Sequence, residues 1–216
     1  MTPGREYLRR AARCYLQAGL LDEACRCFER LPDARQAALL HERQRRWAQA
    51  AAWYERVPAW KEAARNHERC EQYEAAAQCW LQAGERLLAA WTLADRASRI
   101  SRVRELLSGF EPAGSVQALE LRLIRARCLA GEEERPVAAR CLRDVVAGLA
   151  DLDESAARQR PVDWAVRVAE ALRRPDLAAL TYATAVQVGI SGSSERWTAW
   201  ARDTLGDVTG IPMPVV

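Results

Sequence analysis

The feature that most constrains this chain is a sequence that recurs every 26 residues. The stretch FERLPDARQAALLHER begins at Phe28, and YERVPAWKEAARNHER begins at Tyr54 with the same residue types in the same order. Laid over one another from Ala11, three units keep small, large and breaker residues in phase, and a fourth begins at Ala89 and fades. A chain that repeats itself at this period is expected to stack copies of one structural unit.

Within each unit the recurring positions fall at helical intervals. From Tyr15 they lie at Gly19, Ala24 and Phe28. Glycine can end one helix and let another begin, so each unit is predicted to hold two short helices. Alanine one turn before an aromatic residue lets neighbouring helices approach closely. A lone helix pair cannot bury its apolar face, whereas stacked pairs can. The repeat therefore predicts an all-α, right-handed α-solenoid of stacked antiparallel helix pairs, without a sheet.

The strict repeat ends near the stretch SGFEPAGS, and the helices beyond it are predicted to be longer. We expect short repeats over residues 1–110, a longer-helix part of the same solenoid over 115–206, and an irregular tail over 207–216. The longer helices are predicted at about 115–130, 136–150, 161–173, 176–188 and 193–205. The first-unit spacing returns in this half at Ala169, Arg173, Ala178, Tyr182 and Ala185.

The pattern Tyr15, Gly19, Ala24 and Phe28, with Leu31 in the next apolar place, resembles the core of the tetratricopeptide repeat. The units are shorter than is usual in that family, and the turn glycine is kept only in the first. Short-helix solenoids of vesicle-coat type also look similar. The C-terminal segment GISGSSERWTAWARDTLG is similar to helical-repeat partners of bacterial NTPase-based defence or signalling systems, and this resemblance implies a role in such an assembly.

Composition favours a cytoplasmic protein. No run of eighteen apolar residues occurs, and arginines within the first ten residues argue against a leader. Seven cysteines, an odd number, favour reduced thiols over a disulfide framework. Nearly all basic residues are arginine, with Lys61 the only lysine, and alanine is abundant. This bias suggests GC-rich coding and a bacterial source.

No residue pattern predicts catalysis, a cofactor or a metal. The chain has no Gly-rich phosphate loop, nucleophile elbow or spaced carboxylate pair, so we do not expect an enzyme. His41 and His67 each head an HER triplet, but they replace a tyrosine in phase, and no acidic or cysteine partner is recognised at ligand spacing around both. Cys27 and Cys79 occupy the place of Trp53 in the repeat and are interpreted as core residues.

A row of cations recurs on one side of the successive first helices, at offsets of four or eight residues. This basic row consists of Arg9, Arg13, Arg35, Arg43, Lys61, Arg65 and Arg69. Leu39 and Trp91 occupy equivalent positions on the same face and are expected to supply apolar contacts beside the charges. Near the other end, Trp197 and Trp200 are expected either to cap the solenoid or to anchor a partner.

Three interpretations of the basic row stay open. It is a solvated charged face, a groove for a protein partner, or a nucleic-acid surface extended by DRASRISRVR at 95–104. In the tetratricopeptide family the equivalent face lines a peptide groove, so the resemblance implies a basic groove flanked by Glu42 and Glu68. Residues 1–110 carry 19 basic and 14 acidic side chains, short of the dense field that nonspecific nucleic-acid binding demands. We therefore expect a noncatalytic scaffold that binds an acidic peptide or a partner subunit.

Overall fold

A computed structural model of the chain describes residues 3–31, 34–132, 134–152 and 159–206. Within these ranges the chain forms thirteen helices and no strand, which confirms the predicted all-α class. None of the helices in these ranges is long and apolar enough to cross a membrane. The tail predicted over 207–216 lies outside the described residues.

The chain divides into two compact units, residues 1–97 and 98–216. In the first unit each helix packs against the next one along the chain, as stacked helix pairs require. Its helices are α1 (Pro3–Gln17), α2 (Leu21–Glu29), α3 (Ala34–Arg43), α4 (Trp47–Glu55), α5 (Trp60–Arg69), α6 (Tyr73–Gln82) and α7 (Arg86–Asp95).

The second unit is built from fewer and mostly longer helices. They are α8 (Ile100–Leu107), α9 (Ser115–Gly131), α10 (Arg135–Gly148), α11 (Gln159–Ala171), α12 (Pro175–Gln187) and α13 (Ser193–Leu205). Helix α9 packs on α10 and α11, and α12 packs on α10, α11 and α13. The last five helices begin and end within two residues of their predicted bounds.

The boundary between the compact units is not the place where the helices lengthen. The helices are longer from residue 115 onward, as predicted, whereas the compact units divide between Ala97 and Ser98. Helix α8 therefore belongs to the second unit, where Val103 and Leu107 line one cleft together with residues of α9. The Gly- and Pro-containing stretch that suggested a boundary is instead the connection between α8 and α9.

The turn inside each helix pair keeps one geometry although its residue type changes. The equivalent residues Gly19, Arg45 and Glu71 all have left-handed backbone, with φ of 74°, 57° and 61°. Arg173, at the matching place in the second unit, has φ of 56°. After each of them the next amide donates to the carbonyl five residues earlier, the bond of a Schellman motif. The repeat is thus preserved in backbone conformation where it is lost in sequence.

Small and aromatic residues of the repeat meet in the core as predicted. The alanines are fully buried, and the aromatic residue one turn later in each unit is at most 8% exposed. These six residues are Ala24, Phe28, Ala50, Tyr54, Ala76 and Trp80. Close helix approach at alanine leaves room for the ring beside it, which fixes the stacking distance of the helices.

Candidate functional site

The basic row lies on α1, α3 and α5 and faces outward. Six of its cations are exposed and Arg9 is half-buried. Leu39, which shares a repeat position with Arg13 and Arg65, is 39% exposed. The structure therefore presents these cations and one apolar side chain on successive first helices.

Three cations of the basic row are ion-paired with carboxylates from a neighbouring helix or its first turn. The pairs, with their nitrogen–oxygen distances, are Arg35–Glu62 (3.4 Å), Arg69–Glu42 (2.6 Å) and Lys61–Glu85 (2.5 Å). The first two join α3 to α5 in opposite directions. Mutual repulsion along the row is correspondingly smaller than seven uncompensated charges would produce.

The other four cations have no such partner. Arg9, Arg13, Arg43 and Arg65 form no ion pair or side-chain hydrogen bond with any residue in the described ranges. They surround Leu39 in the repeat register: Arg13 and Arg65 lie at its position on α1 and α5, and Arg43 lies one turn further along α3. This group is the part of the face that is available to a ligand.

The aromatic contact on this face is a different residue from the predicted one. Trp91 is 7% exposed and belongs to the core, because α7 is buried over most of its length. Its sequence, RLLAAWTLAD, has no charge in the middle, a signal that α7 lacks the exposed face of α3 and α5. Trp47 is half-buried instead, and the Arg69 guanidinium lies 4.7 Å from its ring centroid.

Beneath the basic row, two equivalent hydrogen-bonded pairs join a second helix to the following first helix. Glu29 Oε1 lies 2.9 Å from His41 Nε2, and Glu55 Oε1 lies 2.7 Å from His67 Nε2. The histidines are 5% and 7% exposed. The expectation that no acidic partner surrounds both histidines is therefore wrong. The partner is twelve residues earlier, across a helix boundary, where local ligand spacing does not reveal it.

A second set of pairs joins the two helices of one 26-residue repeat. The Tyr54 hydroxyl donates to Glu42 at 2.8 Å, and the Trp80 indole N–H donates to Glu68 at 2.9 Å. In the first 26-residue repeat, these two places hold Leu16 and Phe28. Neither side chain has a hydrogen-bond donor. We call the four pairs the polar ladder; its members are Glu29–His41, Glu42–Tyr54, Glu55–His67 and Glu68–Trp80.

Each glutamate–histidine pair is accompanied by one buried thiol. Cys25 Sγ lies 3.2 Å from His41 Nε2, and Cys79 Sγ donates to Glu55 Oε1 at 3.3 Å. Burial, and then the nearby glutamate, raises the pKa of Cys25 to about 11 and that of Cys79 to about 12. At neutral pH both thiols are protonated, so neither has the thiolate character of a nucleophilic cysteine.

Of the two cysteines that were interpreted as core residues, one is buried and the other is half-buried. Cys79 is 3% exposed, which confirms it as a core residue, and Cys27 is half-buried against the core formed by α1, α2 and α3. All seven cysteines fall in the described ranges, and each is free. A cysteine beside each histidine, like the glutamate, was not expected from the sequence.

The tryptophans near the C terminus pack inside the second unit. Trp197 and Trp200 are 6% and 9% exposed and stack at 5.6 Å between ring centroids. Tyr182 lies at about 6 Å from both rings, and the Trp200 indole N–H donates to Glu170 at 3.1 Å. Of the two alternatives for these residues, the structure supports packing rather than a free anchor.

The basic segment at 95–104 is compensated by acids. Arg96 pairs with Asp95 at 3.4 Å, and Arg102 pairs with Glu105 at 2.8 Å. Arg104 pairs with Glu132 at 2.5 Å. The segment therefore does not extend the basic row as an open cationic surface.

Comparison with known proteins gives no match: no protein-family model, curated protein or solved structure matches this chain. The tetratricopeptide resemblance stays a prediction.

Proposed function

We propose that this chain is a noncatalytic protein-interaction scaffold that binds an acidic peptide or partner subunit on the basic row of its first unit. One observation carries the proposal: Arg13, Arg43 and Arg65 are exposed around Leu39 without a carboxylate partner among the described residues. A partner that brings carboxylates to this place would neutralise charges that the chain itself leaves uncompensated.

The compensated cations support the proposal in another way. Arg35–Glu62 and Arg69–Glu42 join α3 to α5, so the free guanidinium groups lie on helices that are already connected before a partner binds. A preorganised array loses less conformational entropy when a ligand binds. A guanidinium group also donates two parallel N–H hydrogen bonds to one carboxylate, a bidentate geometry that an ammonium group does not offer.

Charge alone does not give this face specificity. Exposed charge pairs contribute about 0.2–1 kcal/mol each, so selection among acidic partners requires apolar contact beside them. Leu39 and the exposed part of Trp47 lie on the face and offer such contacts. We propose a ligand in which acidic residues flank at least one apolar side chain.

The buried polar groups support a noncatalytic role. Both histidines of the polar ladder are hydrogen-bonded to glutamates, and the thiols of Cys25 and Cys79 are kept protonated by their raised pKa. We propose a cytoplasmic bacterial setting on the ground of composition, and a link to an NTPase-based defence or signalling assembly on the ground of the resemblance of the C-terminal segment.

The test uses a displayed library of random short peptides, selected on the full chain. We expect selected peptides to be rich in Asp and Glu beside an apolar residue. We expect simultaneous replacement of Arg13, Arg43 and Arg65 by Glu to weaken the binding of a selected peptide tenfold or more at low salt. Calorimetry measures the affinity. Arg69 is left unchanged because its reversal would place two carboxylates together at Glu42.

Arg202→Glu, an exposed charge reversal on α13, is the control and should leave affinity unchanged. Equal affinity of the triple variant and the unaltered chain would contradict the proposal, and so would selected peptides without acidic enrichment. Binding to unrelated DNA sequences with a steep loss as salt rises would favour the nucleic-acid alternative.

A further inference from the structure

We propose that the first unit binds zinc at two trios of side chains, Cys25–Glu29–His41 and Glu55–His67–Cys79. In each trio the sulfur, oxygen and nitrogen that could bind a metal all lie within 4.8 Å of one another. Neither trio contains a residue of the basic row, so this proposal does not depend on the function proposed above.

The distances between the ligand atoms fit a tetrahedral ion. Zinc bonds of about 2.0 Å to nitrogen and oxygen and 2.3 Å to sulfur place N and O about 3.3 Å apart, and S about 3.5 Å from either. In the first trio the N–O, S–N and S–O distances are 2.9, 3.2 and 3.7 Å. In the second trio the N–O and S–O distances are 2.7 and 3.3 Å. Movements of a few tenths of an ångström would seat the ion.

The donor set selects zinc among the common divalent ions. Thiolate and imidazole ligands suit zinc, whereas Mg²⁺ and Ca²⁺ prefer sites built from oxygen alone. On binding, the thiol proton leaves to solvent, and the Nε2 proton that is donated to the glutamate moves to Nδ1, so that the ring stays neutral and Nε2 offers its lone pair to the metal. In the second trio the ion would join α4, α5 and α6, each of which supplies one ligand.

The repeat gives an independent reason to regard the thiols as part of these sites. Cys25 lies on the same helix as Glu29, and Ala51 occupies the position equivalent to Cys25 in the next 26-residue repeat. Cys79 lies on the helix that follows His67, and Trp53 stands at its place one unit earlier. The two thiols are therefore not copies of one repeat position. A single thiol nevertheless accompanies each glutamate–histidine pair, delivered from a different helix in each case.

The surroundings of the histidine differ between the two trios, and this difference predicts which trio binds zinc more tightly. His67 Nδ1 lies 2.8 Å from Gln72 Oε1, and an N–H donated there leaves the lone pair of Nε2 for a metal. His41 Nδ1 is buried without a hydrogen-bond partner in the described structure. Because such outer partners change metal affinity by about 10–100-fold, we expect the trio of His67 to bind zinc more tightly by that factor.

Each trio is accessible on its carboxylate side. The Glu55 and Glu29 side chains are 40% and 34% exposed, while both thiols are buried. This opening provides a path for the ion, and a water molecule from solvent would supply the fourth ligand.

The experiment uses the full chain, reduced, stripped of metal with a chelator, and titrated with Zn²⁺ alone in a calorimeter. We expect two equivalents per chain, with affinities that differ by about 10–100-fold. Cys79→Ala should abolish the tighter site and Cys25→Ala the weaker one. Titration with Co²⁺ should give thiolate-to-cobalt charge-transfer absorption that falls by half in each variant.

Two matched variants separate ligation from folding. Cys27→Ala removes a thiol at the repeat position of Cys79 but outside both trios, and should leave both sites unchanged. Gln72→Ala should weaken the tighter site about 10–100-fold while the charge-transfer absorption is retained. If an alanine variant lacks the helical circular dichroism of the unaltered chain, Cys79→Ser or Cys25→Ser replaces it in the same titrations.

Absence of zinc binding by the unaltered chain would overturn the proposal. Binding that persists unchanged when Cys25 and Cys79 are both replaced would also overturn it, and so would cobalt binding without thiolate absorption.

Discussion

At the scale of single residues, each buried histidine of this chain forms half of a pair. His41 and His67 are more than 90% buried, so a partner for Nε2 has to come from inside the protein, and Glu29 and Glu55 supply it. Leu81 and Leu93 occupy the corresponding places in the next copy. Either a polar pair or an apolar pair fills this position, and a mixed pair would leave one polar group uncompensated.

We expect Glu55→Leu and His67→Leu to be coupled in their effect on stability. Glu55→Leu removes the carboxylate partner of a buried ring and should cost about 1–3 kcal/mol. The double variant recreates the Leu81–Leu93 pair and should be more stable than the sum of the single changes predicts, with a coupling of about 1–2 kcal/mol. Urea denaturation of all four proteins, with a chelator present, measures the cycle. Strictly additive effects would contradict the pairing.

Residue roles were only partly predictable from the sequence. The phase of His41 and His67 was visible, but their glutamates lie twelve residues earlier, and only contact between helices shows that they meet. The joint replacement by Leu81 and Leu93 was a readable signal in a single sequence. Trp91 was misplaced because its repeat position is exposed on α3 and α5, whereas α7 is buried.

At the scale of elements, the turn between the two helices of a pair is the most constant feature. Gly19, Arg45, Glu71 and Arg173 share the left-handed conformation, although glycine alone adopts it without a side-chain clash. For other residues this conformation costs about 1–2 kcal/mol. Three exposed turns therefore hold local strain, which the helix packing on either side outweighs.

Arg45→Gly and Glu71→Gly should each raise the free energy of unfolding by about 1 kcal/mol, because glycine removes the cost of the left-handed turn. Gly19→Ala should lower it by a similar amount. Thermal denaturation followed by circular dichroism measures the three changes. Ala52→Gly, at an exposed place inside α4, is the matched control and should lose about 1 kcal/mol. A loss at Arg45 and Glu71 equal to that of the control would refute the assigned conformation.

Elements were the most predictable level of this structure. Periodicity located α9 to α13 within two residues at each end, because helix ends coincide with proline, glycine and serine in the sequence. The division at Ala97 was not predictable in this way, since it depends on which helix α8 packs against. A Gly-rich connection marks a loop, and it does not reveal whether the helices on either side share a core.

At the scale of the whole molecule, both units bury titratable thiols. Burial is the first cause of the raised pKa at Cys25, Cys79 and Cys128, to about 11, 12 and 11, from a usual value of 9.0. A nearby glutamate adds to the shift in each case. The folded chain therefore holds these protons more tightly than the unfolded chain.

We expect the chain to lose stability in alkali with a definite sign. Groups whose pKa is raised by folding contribute fully below pH 9, and their contribution is lost as pH rises through the folded values near 11 and 12. Urea midpoints measured from pH 8 to pH 11, with a chelator present, should fall above pH 9. Cys128→Ala should flatten the decline, whereas Cys14→Ala, an exposed thiol, should not. A midpoint that stays constant up to pH 11 would contradict the burial of these thiols.

The polar ladder also restricts how this chain could be rearranged. Glu29–His41 and Glu55–His67 span the junction between one helix pair and the next, while Glu42–Tyr54 and Glu68–Trp80 stay within a pair. A copy that ends in glutamate must be followed by one that carries histidine, and a copy that ends in Leu81 by one that carries Leu93. Duplication of the copy that carries His67 and Leu81 would place Leu81 against His67, whereas duplication of the copy that carries His41 and Glu55 would keep a glutamate–histidine pair. The copies look alike in sequence, yet each junction accepts only a successor that matches the side chain before it.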